Sequence, residues 1–209
     1  MNNLLLQIFI LYFSLSMHES AHAYFAYLAG DRNDYIKQRI SLNPLVHIDP
    51  IGTLLIPLIG ILFSPGFAIF GWGKPVIINP YYFKNRRLGE FLCSLAGPLA
   101  NIILIIVSII FARIIIYFFG YSLQLPLLVI KQFIILNTIL SIFNLIPIPP
   151  LDGGGILKFF LPNEISIHYE RLQVFGIIIL LIIINTKLFN LIITLPIIIF
   201  LSLAKLPLL

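Results

Sequence analysis

Long apolar runs alternate with short polar stretches along the chain. The runs cover about residues 4–29, 51–70, 91–119, 126–145 and 174–204, and the last is broken around residues 185–187. Most of them approach or exceed the roughly 20 residues that a helix needs to cross the hydrocarbon core of a bilayer. This pattern predicts an all-α polytopic membrane protein with about five transmembrane helices, the last two forming an apolar pair over about residues 172–206.

The run at residues 51–70 differs from the others because prolines and glycines interrupt it. The polar stretches on either side of it, residues 31–50 and 71–89, are the most basic in the chain. Short basic loops favour the cytoplasmic side of a membrane. Both ends of residues 51–70 are therefore expected on that side, and we predict a re-entrant segment that reverses near Ser64–Gly66.

The same two polar stretches contain short apolar segments flanked by turn residues. Residues 40–44 and 75–80 each end in an Asn-Pro pair. Such segments are typical of short strands that end in a turn. We therefore predict short β elements near the cytoplasmic face, within one domain that spans residues 1–209.

The composition supports a membrane protein and excludes several other classes. The 209 residues are 60% hydrophobic and only 10% charged, whereas about 25% of the residues in a soluble domain are charged. The net charge of +5 comes from short loops beside apolar runs, so it orients the chain in the bilayer and indicates no nucleic-acid partner. Cys93 is the only cysteine, which rules out a disulfide within the chain and a zinc site built from cysteines.

The N-terminal run resembles a secretory signal, because Ala21-His22-Ala23 fits the small-residue pattern of a cleavage site. Two features oppose that interpretation. The first three residues carry no Lys or Arg, and the apolar run is longer than the core of a usual signal. We therefore expect a transmembrane helix that is retained.

The motif His18-Glu19-Ser20-Ala21-His22 lies inside this first apolar run. On a helix, His18 and His22 are one turn apart and can share one Zn²⁺, while Glu19 can act as general base. An ionisable group at membrane depth costs about 2.5 to 3.5 kcal/mol for Asp on insertion scales, so such groups are functional candidates by default. The structural alternative is a hydrogen-bonded polar cluster that holds helices together.

A catalytic zinc usually has three protein ligands and one open position, so a third ligand must come from elsewhere in the chain. The candidates are Asp31, His47, Asp49, Glu90, Asp152, Glu164 and His168. Most of them lie in polar loops, where a solvated side chain is the simpler interpretation. Asp152 differs because it follows an apolar span and a proline-rich break and precedes Gly153, Gly154 and Gly155. Prolines and glycines at that point let the backbone approach something closely, which makes Asp152 the favoured ligand.

The stretch from Asn144 to Gly153, together with the upstream His-Glu motif, closely resembles the site-2 protease family of intramembrane zinc metalloproteases. Residues 96–101, with the sequence Ala-Gly-Pro-Leu-Ala-Asn, resemble the intermediate motif of that family. Residues 41–50 and 71–76 are similar to its short-form branch. The resemblance covers about residues 4–160, which we take as the catalytic core.

The resemblance implies a role for each matching residue. His18, His22 and Asp152 would hold one Zn²⁺ per chain, Glu19 would be the general base, and Asn144 would hydrogen-bond the substrate carbonyl or the developing oxyanion. A helix cap before the proline break is the alternative interpretation of Asn144.

Three further residues are expected to support the site. Asn101 would pack and polarise the helix beside the site, Gly97 would permit close helix approach, and Gly153 would follow the ligand in the family motif. The loop near Gly120 is too short to hold the substrate-filtering domain that some members insert.

The expected function is therefore hydrolysis of peptide bonds in or near transmembrane segments of membrane proteins. The protein would be a multi-pass protein of the plasma or inner membrane, with an active site that opens towards the cytoplasm. The segment Lys74–Asn79 would pair with an unwound substrate. Two alternatives are a membrane metal transporter, which would string several sites along a path, and an inactive relative that binds membrane helices.

Overall fold

The computed structural model describes residues 4–49, 51–52 and 73–207, and these residues are mostly helical. The α-helices are α1 (Leu4–Ala29), α2 (Asp34–Arg39), α3 (Arg86–Phe119), α4 (Gln124–Asn144), α5 (Asp152–Phe160), α6 (Asn163–Arg171), α7 (Gln173–Ile184) and α8 (Lys187–Leu203). Short 3₁₀ helices cover Pro44–His47 and Pro80–Tyr82. The chain divides into two compact units, one ending at Gly89 and the other beginning at Glu90.

The predicted short strands are wrong, since none of the described residues is in a β-strand. Each Asn-Pro pair instead begins a 3₁₀ helix, because the asparagine side chain caps it. The side-chain oxygen of Asn43 accepts a hydrogen bond from the N–H of Leu45, and that of Asn79 accepts one from the N–H of Tyr81. Side-chain bonds of this kind compete with strand pairing for the local backbone.

In the first unit, the end of α1 is tied to the residues just before α3. The N–H of Lys84 donates to the carbonyl oxygen of Ala29 over 2.9 Å. Gly30 ends α1 with φ of +133°, and a Cβ at that position would lie 2.3 Å from the carbonyl oxygen of Tyr82. Only glycine adopts this backbone conformation and also leaves room for the neighbouring chain.

In the second unit, α3, α4 and α8 share a core of small and branched side chains. Its buried members are Ile105, Ala112, Leu127, Ile134, Leu201, Ala204 and Leu206. Large apolar side chains also cover the outside of α3, with Ile103, Ile106 and Ile110 all about half exposed. An exposed apolar surface of this kind fits contact with lipid.

Two described helices, α3 and α4, are long and apolar enough to cross a membrane, and they match the spans predicted at residues 91–119 and 126–145. A third span is present if the bent pair of α6 and α7 counts as one. The membrane location is therefore confirmed, while the count of five spans stays a prediction. The predicted re-entrant segment at residues 51–70 lies outside the described residues, apart from Ile51 and Gly52.

Candidate metal centre

Helix α1 brings the two predicted histidine ligands onto one buried face. Residues four apart on a helix lie one above the other. The rings of His18 and His22 accordingly have centroids 4.7 Å apart with 78° between their planes. The side chains are only 5% and 9% exposed. Two imidazoles in this arrangement can direct one nitrogen each towards a shared cation.

Helix α1 buries polar side chains besides the two histidines. Ser14, Ser16 and Ser20 are also buried, and the hydroxyl of Ser16 donates to the carbonyl oxygen of Tyr12 over 2.6 Å. Of these serines, Ser14 shares the face of His18 and His22 because it lies four residues before His18, whereas Ser16 and Ser20 lie on the opposite side of the helix.

Glu19 lies on α1 beside the histidines and is half-buried. Its Oε2 accepts a hydrogen bond of 3.0 Å from the N–H of Val76. A Cβ on Gly73 would lie 3.5 Å from Cγ of Glu19, so the segment of residues 73–79 passes directly over this carboxylate. The predicted general base is therefore held by a backbone donor.

Asp152 is the first residue of α5 and follows the proline-rich loop. The next two glycines pack against the backbone of that loop. A Cβ on Gly153 would lie 2.3 Å from the carbonyl oxygens of Leu145 and Ile146, and one on Gly154 would lie 2.8 Å from the nitrogen of Pro149. The glycines that follow the aspartate in sequence are thus required by close backbone approach.

Among the described residues, one group of three side chains could hold a metal ion. It consists of His18, His22 and Asp152, whose ligand atoms all lie within 4.8 Å of one another. Two imidazole nitrogens and one carboxylate oxygen form the kind of donor set that catalytic zinc takes while keeping one position open. The residues present therefore fit a zinc ion.

The other candidates for the third ligand make local contacts. Asp31 is fully buried and accepts hydrogen bonds from the side chain of Asn33 and the N–H of Asn79. His47 is buried, with Nε2 2.9 Å from the carbonyl oxygen of Ser41. The side chains of Asp31 and His47 thus bond to loop residues of the first unit.

Three of the remaining alternatives likewise have partners of their own, and the fourth, Glu164, is exposed. Asp49 caps the N–H groups of Ile51 and Gly52, and Glu90 pairs with Lys158. Nδ1 of His168 lies 2.9 Å from the carbonyl oxygen of Glu164.

The predicted supporting residues all lie in the second unit. The amide of Asn101 on α3 donates to Oδ1 of Asn137 on α4 over 2.8 Å, and both side chains are fully buried. Gly97 is buried on α3. The amide of Asn144 donates to the carbonyl oxygen of Leu140 over 3.0 Å.

Sequence reasoning missed two polar residues that the structure brings to light. Asn137 could have been found as an amide inside an apolar run. Arg39 is only 3% exposed and donates to the carbonyl oxygens of Val46 and Lys74. Nothing in the sequence indicates that Arg39 is buried, because an arginine in a basic loop is normally interpreted as a residue that orients the chain in the membrane.

Comparison with known proteins identifies a family and several relatives. The model of peptidase family M50 matches residues 121–184. The chain is 36% identical to "Putative zinc metalloprotease YwhC" of Bacillus subtilis over 180 residues, which cover 84% of this chain and 78% of that protein. No solved structure matches the chain.

Two further relatives carry the name "Putative zinc metalloprotease Rip2". The chain is 29% identical to that of Mycolicibacterium smegmatis, over 85% of this chain and 65% of the relative. It is 27% identical to that of Mycobacterium tuberculosis, over 81% of this chain and 62% of the relative.

The predicted family, the peptidase activity and the zinc cofactor are thereby confirmed. The chain belongs to peptidase family M50, the site-2 protease family of intramembrane zinc metalloproteases.

Proposed function

We propose that this protein is an endopeptidase that hydrolyses peptide bonds in or near transmembrane segments of other membrane proteins. His18, His22 and Asp152 hold its single zinc ion. The observation that carries the proposal is the grouping of these three ligand atoms within 4.8 Å, next to a glutamate on the same apolar helix. A packed polar cluster would explain two histidines, but it gives no reason for adding a carboxylate at ligand distance.

The zinc supplies Lewis-acid polarisation of the peptide carbonyl and makes water acidic enough to act near neutral pH. Glu19 accepts the proton of the attacking water and later delivers it to the departing amine. It is placed for this because it follows His18 directly and so lies about 100° round the helix from that ligand. The N–H of Val76 holds Oε2 of this carboxylate, and we assign the proton transfer to the other oxygen.

Asn144 is the residue that we assign to the substrate carbonyl. It is half-buried at the end of α4 and uses one N–H of its side-chain amide on the carbonyl oxygen of Leu140. The second N–H is the donor for the substrate. A preorganised donor of this kind is worth about 10² to 10³ in kcat in other hydrolases.

The substrate is an unwound transmembrane helix, because helical hydrogen bonds shield the carbonyls from attack. The segment of residues 73–79 is neither helix nor strand, lies over Glu19, and leaves the side chain of Ile77 74% exposed. Four N–H groups of this segment already have partners, so an extended peptide would add through the remaining backbone groups. This binding mode places the peptide beside the base.

The finer topology is also a proposal. Helices α1, α3 and α4 and the pair of α7 and α8 supply five spans, residues 51–70 re-enter the membrane, and the site opens to the cytoplasm of a plasma or inner membrane. The whole chain is one domain. Labelling of single cysteines placed at Lys37 and Lys84 tests the re-entrant segment, because access from opposite sides would make it a true span.

The experiment that tests the activity uses purified protein, zinc and a model transmembrane peptide. Wild type cleaves the peptide. Glu19→Gln lowers kcat by about 10² to 10⁴-fold, the usual contribution of a general base, and keeps its zinc. Glu164→Gln, which removes an exposed carboxylate outside the proposed site, cleaves like wild type. A Glu19→Gln protein that cuts at the wild-type rate would remove Glu19 from the mechanism.

A further inference from the structure

Arg39 is a buried cation that the proposed chemistry does not use. Within the described part of the chain, its guanidinium donates to two backbone carbonyls, those of Val46 and Lys74, and makes no ion pair. Nε of the same side chain has no partner there. Burial of a charge is costly unless it is paired or fully hydrogen-bonded. Because burying this charge is costly, we expect its role to lie in the two backbone carbonyls that it holds.

The two carbonyls belong to chain segments that are far apart in sequence. Val46 lies in the 3₁₀ helix Pro44–His47, and Lys74 lies in the segment of residues 73–79. The N–H of Lys74 also donates to the carbonyl oxygen of His47 over 2.8 Å. Residue 74 is therefore held through both its N–H and its carbonyl oxygen. Of these two hydrogen bonds, the one from Arg39 has a charged donor.

The contact with the general base follows two residues later. A chain spans at most about 3.6 Å per residue, so Val76 lies no more than about 7 Å from Lys74. The N–H of Val76 donates to Glu19. A shift of residue 74 is transmitted directly to this hydrogen bond, because no flexible stretch separates the two positions.

The other contacts of the segment are weaker or more distant. The hydroxyl of Tyr35 donates to the carbonyl oxygen of Pro75 and accepts from the N–H of Ile77, each over 3.4 Å, which is at the outer limit of a hydrogen bond. Asp31 holds the N–H of Asn79 at the far end. Arg39 is thus the strongest anchor at the end of the segment nearest to Glu19.

We propose that Arg39 is a positioning residue, which fixes residues 73–79 so that the N–H of Val76 orients the Glu19 carboxylate and the segment stands ready for the substrate. The part of this inference that concerns catalysis rests on the proposed function. The part that concerns the segment does not, because the contacts of Arg39 exist without substrate.

Hydrogen exchange of the purified protein without substrate tests the structural part. In Arg39→Gln, we expect amide exchange in residues 73–79 to speed up at least tenfold while exchange in α1, α3 and α4 stays as in wild type. Arg39→Lys keeps the charge and one donor group, and should give an intermediate rate. Lys37→Gln is the matched control, because Lys37 lies on the same helix but is exposed and pairs with Asp34. Unchanged exchange in residues 73–79, or faster exchange throughout the protein, would overturn the proposal.

Kinetics normalised to bound zinc test the catalytic part. We expect Arg39→Gln to retain one zinc per chain, lower kcat at least tenfold and raise KM for a model transmembrane peptide, with partial recovery in Arg39→Lys. If Arg39 only stabilised the fold, fewer molecules would carry zinc, but kcat and KM per zinc would match wild type, and the assignment would fail. If the Gln variant does not fold, the Lys variant decides by the same readouts. Absence of cleavage by wild type would refute the proposed function, and hydrogen exchange would still decide the role of Arg39.

Discussion

Two segments border the candidate site residues, and they are held in place by different means. Residues 73–79, beside the general base, are held by side chains that bond to the backbone, chiefly Arg39, Glu19 and Asp31. Residues 145–151, which precede Asp152, are held by backbone that packs against glycine.

The glycine contacts of the second segment are very close. Besides the contacts of Gly153 and Gly154, a Cβ on Gly176 would lie 1.8 Å from the carbonyl oxygen of Pro149. One side-chain bond adds to them, from the hydroxyl of Tyr169 to the carbonyl oxygen of Pro147 over 2.9 Å. We therefore expect the position of residues 73–79 to be sensitive to the loss of polar side chains. The position of residues 145–151 should instead be sensitive to volume added at the glycines.

The largest effect is expected from Gly153→Ala. The added methyl meets two carbonyl oxygens of the backbone, neither of which can turn aside as a flexible side chain would. Overpacking of this kind costs about 1 to 3 kcal/mol, and here it also displaces the adjacent Asp152. We expect a lower unfolding midpoint in detergent and a loss of bound zinc.

Gly73→Ala is the matched substitution in the other segment. A methyl there would have its nearest neighbours at 3.4 to 3.5 Å, which is ordinary van der Waals contact. We expect it to fold and bind zinc like wild type. If Gly73→Ala lowered the unfolding midpoint and the zinc content as much as Gly153→Ala, the two segments would not differ in their sensitivity to added volume.

A smaller effect is expected from Lys158→Gln. Lys158 on α5 pairs with Glu90 on α3 over 2.7 Å and also with Glu170 on α6, so it helps to hold the helix that Asp152 begins. The lysine and Glu90 are about three-quarters or more buried, whereas Glu170 is half exposed, so solvent screens part of the network. We expect a loss of about 1 kcal/mol in the free energy of unfolding.

The exposed pair of Lys37 and Asp34 on α2 provides the comparison for this ion network. Lys37→Gln should leave the unfolding midpoint unchanged, since exposed pairs contribute little. A greater loss in Lys37→Gln than in Lys158→Gln would show that burial does not govern these networks.

The smallest effect is a pH dependence that comes from His47. Burial lowers the pKa of His47 from its ordinary value of 6.5, and nearby Arg39 acts in the same direction, while the bond to Ser41 and the charge of Glu19 oppose the shift. As the pH falls below about 6.5, the unfolded chain takes up a proton at this histidine before the folded chain does. The stability that neutral His47 contributes is therefore full above that pH and is lost below it.

Unfolding in denaturant at pH 7.5 and at pH 5.5 measures this contribution. Wild type should lose more stability between the two pH values than His47→Gln does. The same pH dependence in both proteins would mean that His47 is not its source.

The sequence predicted helices α3 and α4 and the zinc peptidase family better than it predicted the loops. The apolar runs that became α3 and α4 were long and nearly unbroken, so hydropathy located them within a few residues. The motif around His18 and the glycines after Asp152 each carry a local signal, because helical spacing and backbone approach depend on neighbouring residues.

The loop contacts depend on residues that are distant in sequence, and this explains what was missed. Residues 75–80 have the composition of a strand, but their backbone partners are the side chains of Glu19, Tyr35 and Asp31. Arg39 is buried only because Val46 and Lys74 come together around it. Neither the partners of residues 75–80 nor the burial of Arg39 can be predicted from neighbouring residues alone.

The most direct test of the account is the zinc content of purified variants after identical dialysis. Wild type and Glu19→Gln should each keep one zinc per chain, and so should Asp34→Ala, which removes an exposed carboxylate on α2. Asp152→Ala should lose its zinc, because two imidazoles alone do not complete the usual set of three protein ligands. An Asp152→Ala protein that keeps zinc as firmly as wild type would contradict the central claim that this aspartate and the histidines of α1 hold one metal ion.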